Sequence, residues 1–416
     1  MENHKTKKME RIILDSLIKK ISLEKEKGLF LNLNKKKFQL LIGKFIFLLY
    51  LGIYILSIKL KIVISRREKT LISGRNYLNK CLEGIMIKNK TYKKYNNPKI
   101  SIIIPVYNSQ NSITSAIKSV QNQNMSEIEI ILVNDFSQDN SSKIINQIQQ
   151  KDPRIKVINK ARNMGILHSR CIGVLLSKGK YILNLDHDDM FFDEDVFDTL
   201  YESAEKGKYD IISFMEVEGN NYYVNIDNMK DGICTHHPNN LIIQQPKLSY
   251  YTLFKNDQYS LVDIQIWGKL FNNKVYKKAV NLLGKKRYSI FNIINEDIIT
   301  LYVICSISKT YKYLRKYGLF HLVDNPTASK IAPQDHCLKM DIFFSDIIFD
   351  LSKNNNKKYS AIIIIRLKEM GYFNLTNKKI KAYLISVIKK IMNCIYIEDK
   401  YKNIIRKEYE EFGLLN

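Results

Sequence analysis

The chain has only six cysteines in 416 residues, and no two of them form a C-x-x-C pair. That removes the common zinc and thioredoxin-like signatures, and the scatter of Cys81, Cys171, Cys234, Cys305, Cys337 and Cys394 outlines no disulfide framework. Cys234-Thr235-His236-His237 lacks two further ligands at metal-site spacing and reads as a loop. No internal repeat is present. No small-residue cleavage site follows the first hydrophobic stretch, and the lead before it is long and basic, so a signal peptide is not expected. An excess of acidic charge is also missing. The formal net charge of +25 would suit a nucleic-acid binder, but its distribution does not. Residues 1–99 carry 24 Lys/Arg against 7 Asp/Glu, whereas residues 100–336 carry 27 against 25. The middle of the chain is nearly neutral, and a nucleic-acid partner is not expected.

What is present begins with a basic N-terminal segment, residues 1–37, in which Ile12, Leu14, Leu17, Ile18 and Ile21 recur at roughly helical spacing. Phe38 to Ile58 is apolar apart from Gln39, Lys44 and Ser57. A run of about 20 such residues can span a bilayer, and Lys44 near its start can snorkel to the interface. The alternative is a buried core helix. One span rather than several argues against a processive polymer exporter. Six Lys/Arg in residues 20–37 face six in residues 59–76, so the charge rule leaves the orientation open. Residues 59–97 are expected as a stem; from residue 65 they are polar, Asn-rich and without periodicity.

From Ile100 the pattern changes. Short apolar runs at 100–104, 128–133, 155–158, 181–185 and 210–215 alternate with helical stretches near 110–123, 140–150, 165–177 and 194–205. Strands alternating with helices predict an α/β domain on a parallel, doubly wound sheet. Ligands bind such sheets beyond the carboxyl ends of the strands. There stand Asp135 and the cluster Asp186-His187-Asp188-Asp189. An Asp-x-Asp at a strand end suits a hard divalent cation, and the plainer alternative is a solvated acidic turn. Residues 337–416 read as helices with breaks near Asn354, Gly371 and Asp399.

Five motifs occur in order: Pro105-Val106-Tyr107-Asn108 after the first strand, Asn134-Asp135-Phe136-Ser137 after the second, Asn163-Met164-Gly165 with Arg170, the Asp186-x-Asp188-Asp189 turn, and Trp267-Gly268-Lys269-Leu270 followed by Asn295-Glu296-Asp297. This series, over about Lys99 to Ser329, resembles the family 2 glycosyltransferases. The resemblance implies a GT-A, Rossmann-like, mostly parallel sheet flanked by helices; the apolar run before it adds an N-terminal membrane helix and the helical pattern after it a C-terminal helical extension. It further implies inverting transfer of a sugar from a nucleotide donor, UDP-linked, to a hydroxyl on a glycan, lipid or protein. The expected organisation is 1–37 basic segment, 38–58 membrane helix, 59–97 stem, 98–330 catalytic domain and 331–416 helical extension. The expected setting is a single-pass membrane protein, of the Golgi or endoplasmic reticulum in a eukaryote.

The resemblance also assigns roles. Asp297 is expected as the catalytic base, with Glu296 holding the loop or touching the acceptor; burial among Ile293, Ile294, Ile298 and Ile299 would raise the pair's basicity. Pro105, Tyr107, Asn108, Asp135, Arg170 and Asp186 are expected around the nucleotide sugar, with a structural salt bridge as the alternative for Arg170. Asp186, Asp188 and His321 are expected around Mn²⁺ or Mg²⁺, with a core strand as the alternative for His321. Asn134 stands where many relatives have Asp, and Phe136 where Gly is frequent. Trp267 is an acceptor platform or a packing residue. Asn325 to Ser329 resembles an element that closes over the phosphates. Two rival readings remain. One is a non-catalytic nucleotide-sugar binder on the same fold. The other is a nucleotidyl transferase, which usually has a Gly-rich basic phosphate loop where this chain has Pro105 to Gln110.

Overall fold

The computed structural model describes residues 35–85, 91–219, 230–231, 241–244, 262, 265–285, 288, 296–322, 334–352, 357, 360–361, 363–365 and 378–410. The chain divides into two compact units, Met1–Thr70 and Leu71–Asn416. The described part of the first unit lies in helix α1, Lys35–Leu82. No helix among the described residues is long and apolar enough to cross a membrane. Most side chains of the span expected over 38–58 lie outside the described ones, so that span is not shown. The amphipathic stretch expected within 1–37 also lies outside the described residues.

The second unit is built on one sheet ordered β3-β2-β1-β4-β9-β6-β10-β5, with β7 on β6 and β8 on β10. Strands β1 (Ile100–Val106), β2 (Ile128–Asn134), β3 (Ile155–Asn159) and β4 (Tyr181–Asn184) are all parallel. Between them run α2 (Ile113–Gln121), α3 (Ser141–Gln149) and α4 (Ile166–Leu176). Alternate side chains of β1 serve two cores, because successive Cβ atoms point to opposite faces. Ile100, Ile102 and Ile104 join Ile117 and Val120 of α2 on one face; Ile103 meets Leu167, Cys171 and Val174 of α4 on the other. Burial on both faces explains why these strands read as unbroken apolar runs.

The other half corrects the expectation of a mostly parallel sheet. After β5 (Met190–Phe191) and α5 (Val196–Gly207), β6 (Ile211–Gly219) does not pair with β4 directly. The short strand β9 (Lys269–Asn272) inserts antiparallel to both β4 and β6. The long β10 (Thr310–Leu322) runs parallel to β6, while β5 and β8 (Ile242–Gln244) run antiparallel to β10, and β7 (Lys230–Asp231) antiparallel to β6. The sheet is therefore mixed. Helices α6 (Asn273–Leu283) and α7 (Asp297–Ile307) cover one face with α4, and α8 (Gln334–Leu351) and α9 (Lys378–Met392) extend that core, with α10 (Asp399–Glu410) contributing Ile405.

The expected aperiodic stem is also corrected. The chain is helical as far as Leu82, and Leu71, Tyr77, Leu78 and Cys81 bury one face of its last turns against Met190, Phe192, Val217 and Phe320. Gly74 lies on the same face.

Candidate active site

The acids stand where the parallel strands end. Asp135 follows β2, and Asp186 to Asp189 follow β4. The loops after β1 and β2 are laced together: Asn108 N–H donates to Ser137 Oγ (3.1 Å), and Asn108 Oδ1 accepts from Gln138 N–H (2.8 Å). Asn134 Oδ1 accepts from both the backbone N–H and the hydroxyl of Ser137. Asn108 and Phe136 take φ of 47° and 63°. Phe136 thus keeps the left-handed turn that its usual glycine would adopt freely, at some strain. Tyr107 and Asn108 are exposed at this rim, while Pro105 is buried in β1.

Asp135 is buried and already engaged. Its carboxylate accepts from Met164 N–H (2.8 Å) and Gly165 N–H (2.7 Å) and pairs with Lys160 (2.5 Å). A carboxylate has about four acceptor positions, and three are engaged here. Lys160 also donates to Ser169 (3.0 Å), which fixes the start of α4.

About one turn along α4 is Arg170, buried to 4% side-chain exposure. Its guanidinium gathers three carboxylates from two distant places. Nη2 donates to Asp186 (2.6 Å); Nη1 donates to Asp297 (2.7 Å) and to Glu296. Asp186 and Asp297 keep 24% and 20% side-chain exposure, whereas Glu296 lies beneath them at 4%. One cation among three acids leaves an excess of negative charge in a desolvated place. Burial, against the pull of Arg170, pushes the Glu296 carboxyl up to about 8, with Asp297 adding to the rise. Burial likewise raises Asp297, again against Arg170. Ile298 and Ile299 flank the pair; Ile293, Ile294 and Asn295 lie outside the described residues.

Behind the acidic turn sits a second pair. Asp189 is fully buried and accepts from Leu322 N–H (3.3 Å) while meeting His321 Nδ1 at 2.9 Å. Trp267 stacks on the His321 ring, with centroids 4.8 Å apart. Burial pulls the His321 pKa down, but the Asp189 carboxylate overcomes it and holds His321 up to about 9. His187 turns to Ser112 (3.0 Å) at the start of α2.

Several residues singled out in the sequence are thus brought together, and others are not. Asp186, Arg170, Glu296 and Asp297 form one cluster. Asp188 is half-buried at the rim of the same turn. His321 faces Asp189, so the triple Asp186, Asp188 and His321 is not assembled, and among the described residues no group of three or more His, Cys, Asp or Glu is placed to hold a metal. The turn does present carboxylates at two alternate positions, Asp186 and Asp188. A Mg²⁺-like ion shared with a substrate diphosphate needs only one or two, so these residues fit a shared ion and do not form a closed cage. Trp267 packs. Asn325 to Ser329 lie outside the described residues. Lys160, Ser169 and the Asp189–His321 contact escaped sequence reasoning; a lysine in a polar loop and a third acid in a cluster give no sign of their partners.

The Asp189–His321 pair predicts a pH effect. A histidine whose folded pKa is raised contributes stability below its unfolded value that is lost as pH rises through the folded one. Melting temperature should therefore fall between pH 6.5 and about 9. His321→Asn should flatten that slope in a pH series of thermal melts; an unchanged slope would rule out this pair as its source.

Residues 101–279 match the family described as Glycosyl transferase family 2. This segment belongs to that family. The uncharacterized glycosyltransferase EpsJ of Bacillus subtilis is 31% identical over 186 residues, 45% of this chain and 51% of its own length. A Campylobacter jejuni protein named GalNAc(5)-diNAcBac-PP-undecaprenol beta-1,3-glucosyltransferase is 25% identical over 218 residues, 49% of this chain and 68% of that one. The chain spans about half the length of the curated relatives it matches, 51%, 42% and 63% for three of them. Among solved structures, S. aureus TarS 1-349 in complex with UDP-GlcNAc superposes with a TM-score of 0.50 at 14% identity, covering 74% of this chain and 83% of that one. That likeness establishes a GT-A-like α/β fold for this family 2 domain.

Proposed function

We propose that the protein is an inverting glycosyltransferase that moves a hexosyl or N-acetylhexosaminyl unit from a UDP-linked donor to an acceptor hydroxyl. The observation that carries this reading is the Arg170 cluster. It brings Asp297, a carboxylate of raised basicity, next to Asp186 of the strand-end turn from 111 positions further along the chain. In the reaction, Asp297 takes the proton from the acceptor hydroxyl, whose oxygen attacks the sugar carbon on the face opposite the leaving diphosphate. Asp188 and Asp186 would hold the cation, which supplies Lewis-acid stabilisation of the leaving diphosphate. Asp135 receives a base N–H, and Tyr107 stacks at the rim. Glu296 stays beneath, fixing Arg170. The TarS complex with UDP-GlcNAc supports a UDP-sugar donor, and the glucosyltransferase name of the Campylobacter relative supports hexosyl transfer. The acceptor hydroxyl belongs to a glycan, lipid or protein, and residues 38–58 anchor the chain to a membrane as a single span.

The test is calorimetry of the full chain with UDP and GDP, with and without Mn²⁺. Mn²⁺-dependent binding of UDP, lost in Asp188→Ala, is expected. No nucleotide binding by the folded protein would leave a fold without the activity and would overturn this reading.

A further inference from the structure

The last turns of α1 touch the sheet at one place, and that place adjoins the acidic turn. Gly74 lies so close to Phe192 that a Cβ there would stand 2.0 Å from the ring. Phe192 follows Asp189 by three residues, and its N–H donates to Gly318 O (3.0 Å) on β10. Three residues beyond Gly74, Tyr77 donates its hydroxyl to Ser119 O (2.7 Å) and accepts from Gln123 Nε2 (3.1 Å). Gln123 is completely buried. The same amide donates to Asp193 O, and its Oε1 accepts from Phe197 N–H (3.3 Å). Ser119 Oγ accepts from Phe191 N–H (3.1 Å). Directly, or through Ser119 and Gln123, these contacts lead to residues 191–197, the segment that leaves the Asp186–Asp189 turn. Buried polar side chains satisfied this fully specify one arrangement of the backbone around them.

We infer that residues 71–82 are a positioning element of the donor site: Gly74 against Phe192, and Tyr77 through Gln123, hold segment 190–197 and with it the acidic turn. This rests on the proposed function, since a positioned turn matters only if the turn meets a donor. It assigns a role to a stretch outside the family-matched residues 101–279. It also gives α1 a reason to end in a glycine-containing face, because overpacking at a close approach forces the neighbour to move.

The experiment is hydrogen–deuterium exchange on the full chain carrying Gly74→Val, alone and combined with Phe192→Ala. Exchange over residues 186–197 should quicken on the order of tenfold in the single variant, stay unchanged in β1 and β2, and return toward wild type in the double variant. Affinity for UDP with Mn²⁺ should fall and recover in step. Unchanged exchange over 186–197, or an equal rise in β1 and β2, would overturn the inference. If Gly74→Val does not fold, Tyr77→Phe removes one hydroxyl only and should loosen 190–197 to a smaller degree; no change there would overturn it equally. A wild-type chain that binds no UDP would count against the function, while the exchange pattern would still decide the positioning role.

Discussion

Replacing Arg170 with methionine should lower stability by about 3–5 kcal/mol, the usual cost of removing one partner from a buried ion pair, and the melting temperature by roughly 10 °C. The reason is the unequal charge around it. Asp186, Glu296 and Asp297 all meet one guanidinium, and with that cation gone three carboxyl groups share a site with little water. They would respond by taking up protons, since burial already raises Glu296 and Asp297 against the pull of Arg170. Lysine should rescue little. Its ammonium is a point charge, whereas the planar guanidinium reaches Asp186 through one nitrogen and the Glu296–Asp297 pair through another. Adding Asp186→Asn and Glu296→Gln to Arg170→Met removes two of the three stranded acids and should recover part of the loss. Chemical denaturation of the four proteins decides the matter: if Arg170→Met stays within about 1 kcal/mol of wild type, a value typical of an exposed pair, the cluster is not the buried hub described here.

The legible parts of this chain are those whose signal is local. The strands β1, β2 and β4 read directly because both faces of the sheet are covered, so nearly every residue is apolar. The strand-end acids Asp135 and Asp186 to Asp189 read for the same reason, as polar stops to such runs. The antiparallel insertion of β9 did not read, because the four residues Lys269-Leu270-Phe271-Asn272 carry no mark of direction. The docked end of α1 was hidden too. Its buried face mixes Leu71, Gly74, Tyr77, Leu78 and Cys81 with charged neighbours, and its partners Phe192, Val217 and Phe320 lie more than 100 positions away. At the site, the residue types were visible and their partnerships were not. Arg170 could be expected at a nucleotide or in a salt bridge, and only the fold shows it meeting Asp297 across 127 positions. His321 was expected around the metal from the family resemblance, but a motif along a chain cannot tell which of several acids a histidine will face. Burial chose Asp189, the one acid of the turn with no exposure.

Asp297→Asn should reduce sugar transfer on the order of 10²- to 10⁴-fold, the range that a positioned general base contributes, while UDP binding remains. The amide keeps the size of the carboxylate and an oxygen that can accept from Arg170, so the cluster should stay assembled and only the proton acceptor is lost. A pH profile makes the argument specific. The base must be ionised to act, and burial raises Asp297 even with Arg170 beside it. The acid limb of kcat in the wild type should therefore lie above the ordinary carboxylate range of about 4. Arg170→Lys weakens the attraction that favours the charged form and should shift that limb to still higher pH. Asp186→Asn removes the neighbouring acid that raises Asp297 and should shift it down. Opposite shifts from two substitutions on either side of one carboxylate cannot arise from a general loss of stability, which would lower rates at every pH. A limb that moves in neither variant, with transfer retained in Asp297→Asn, would place the base elsewhere.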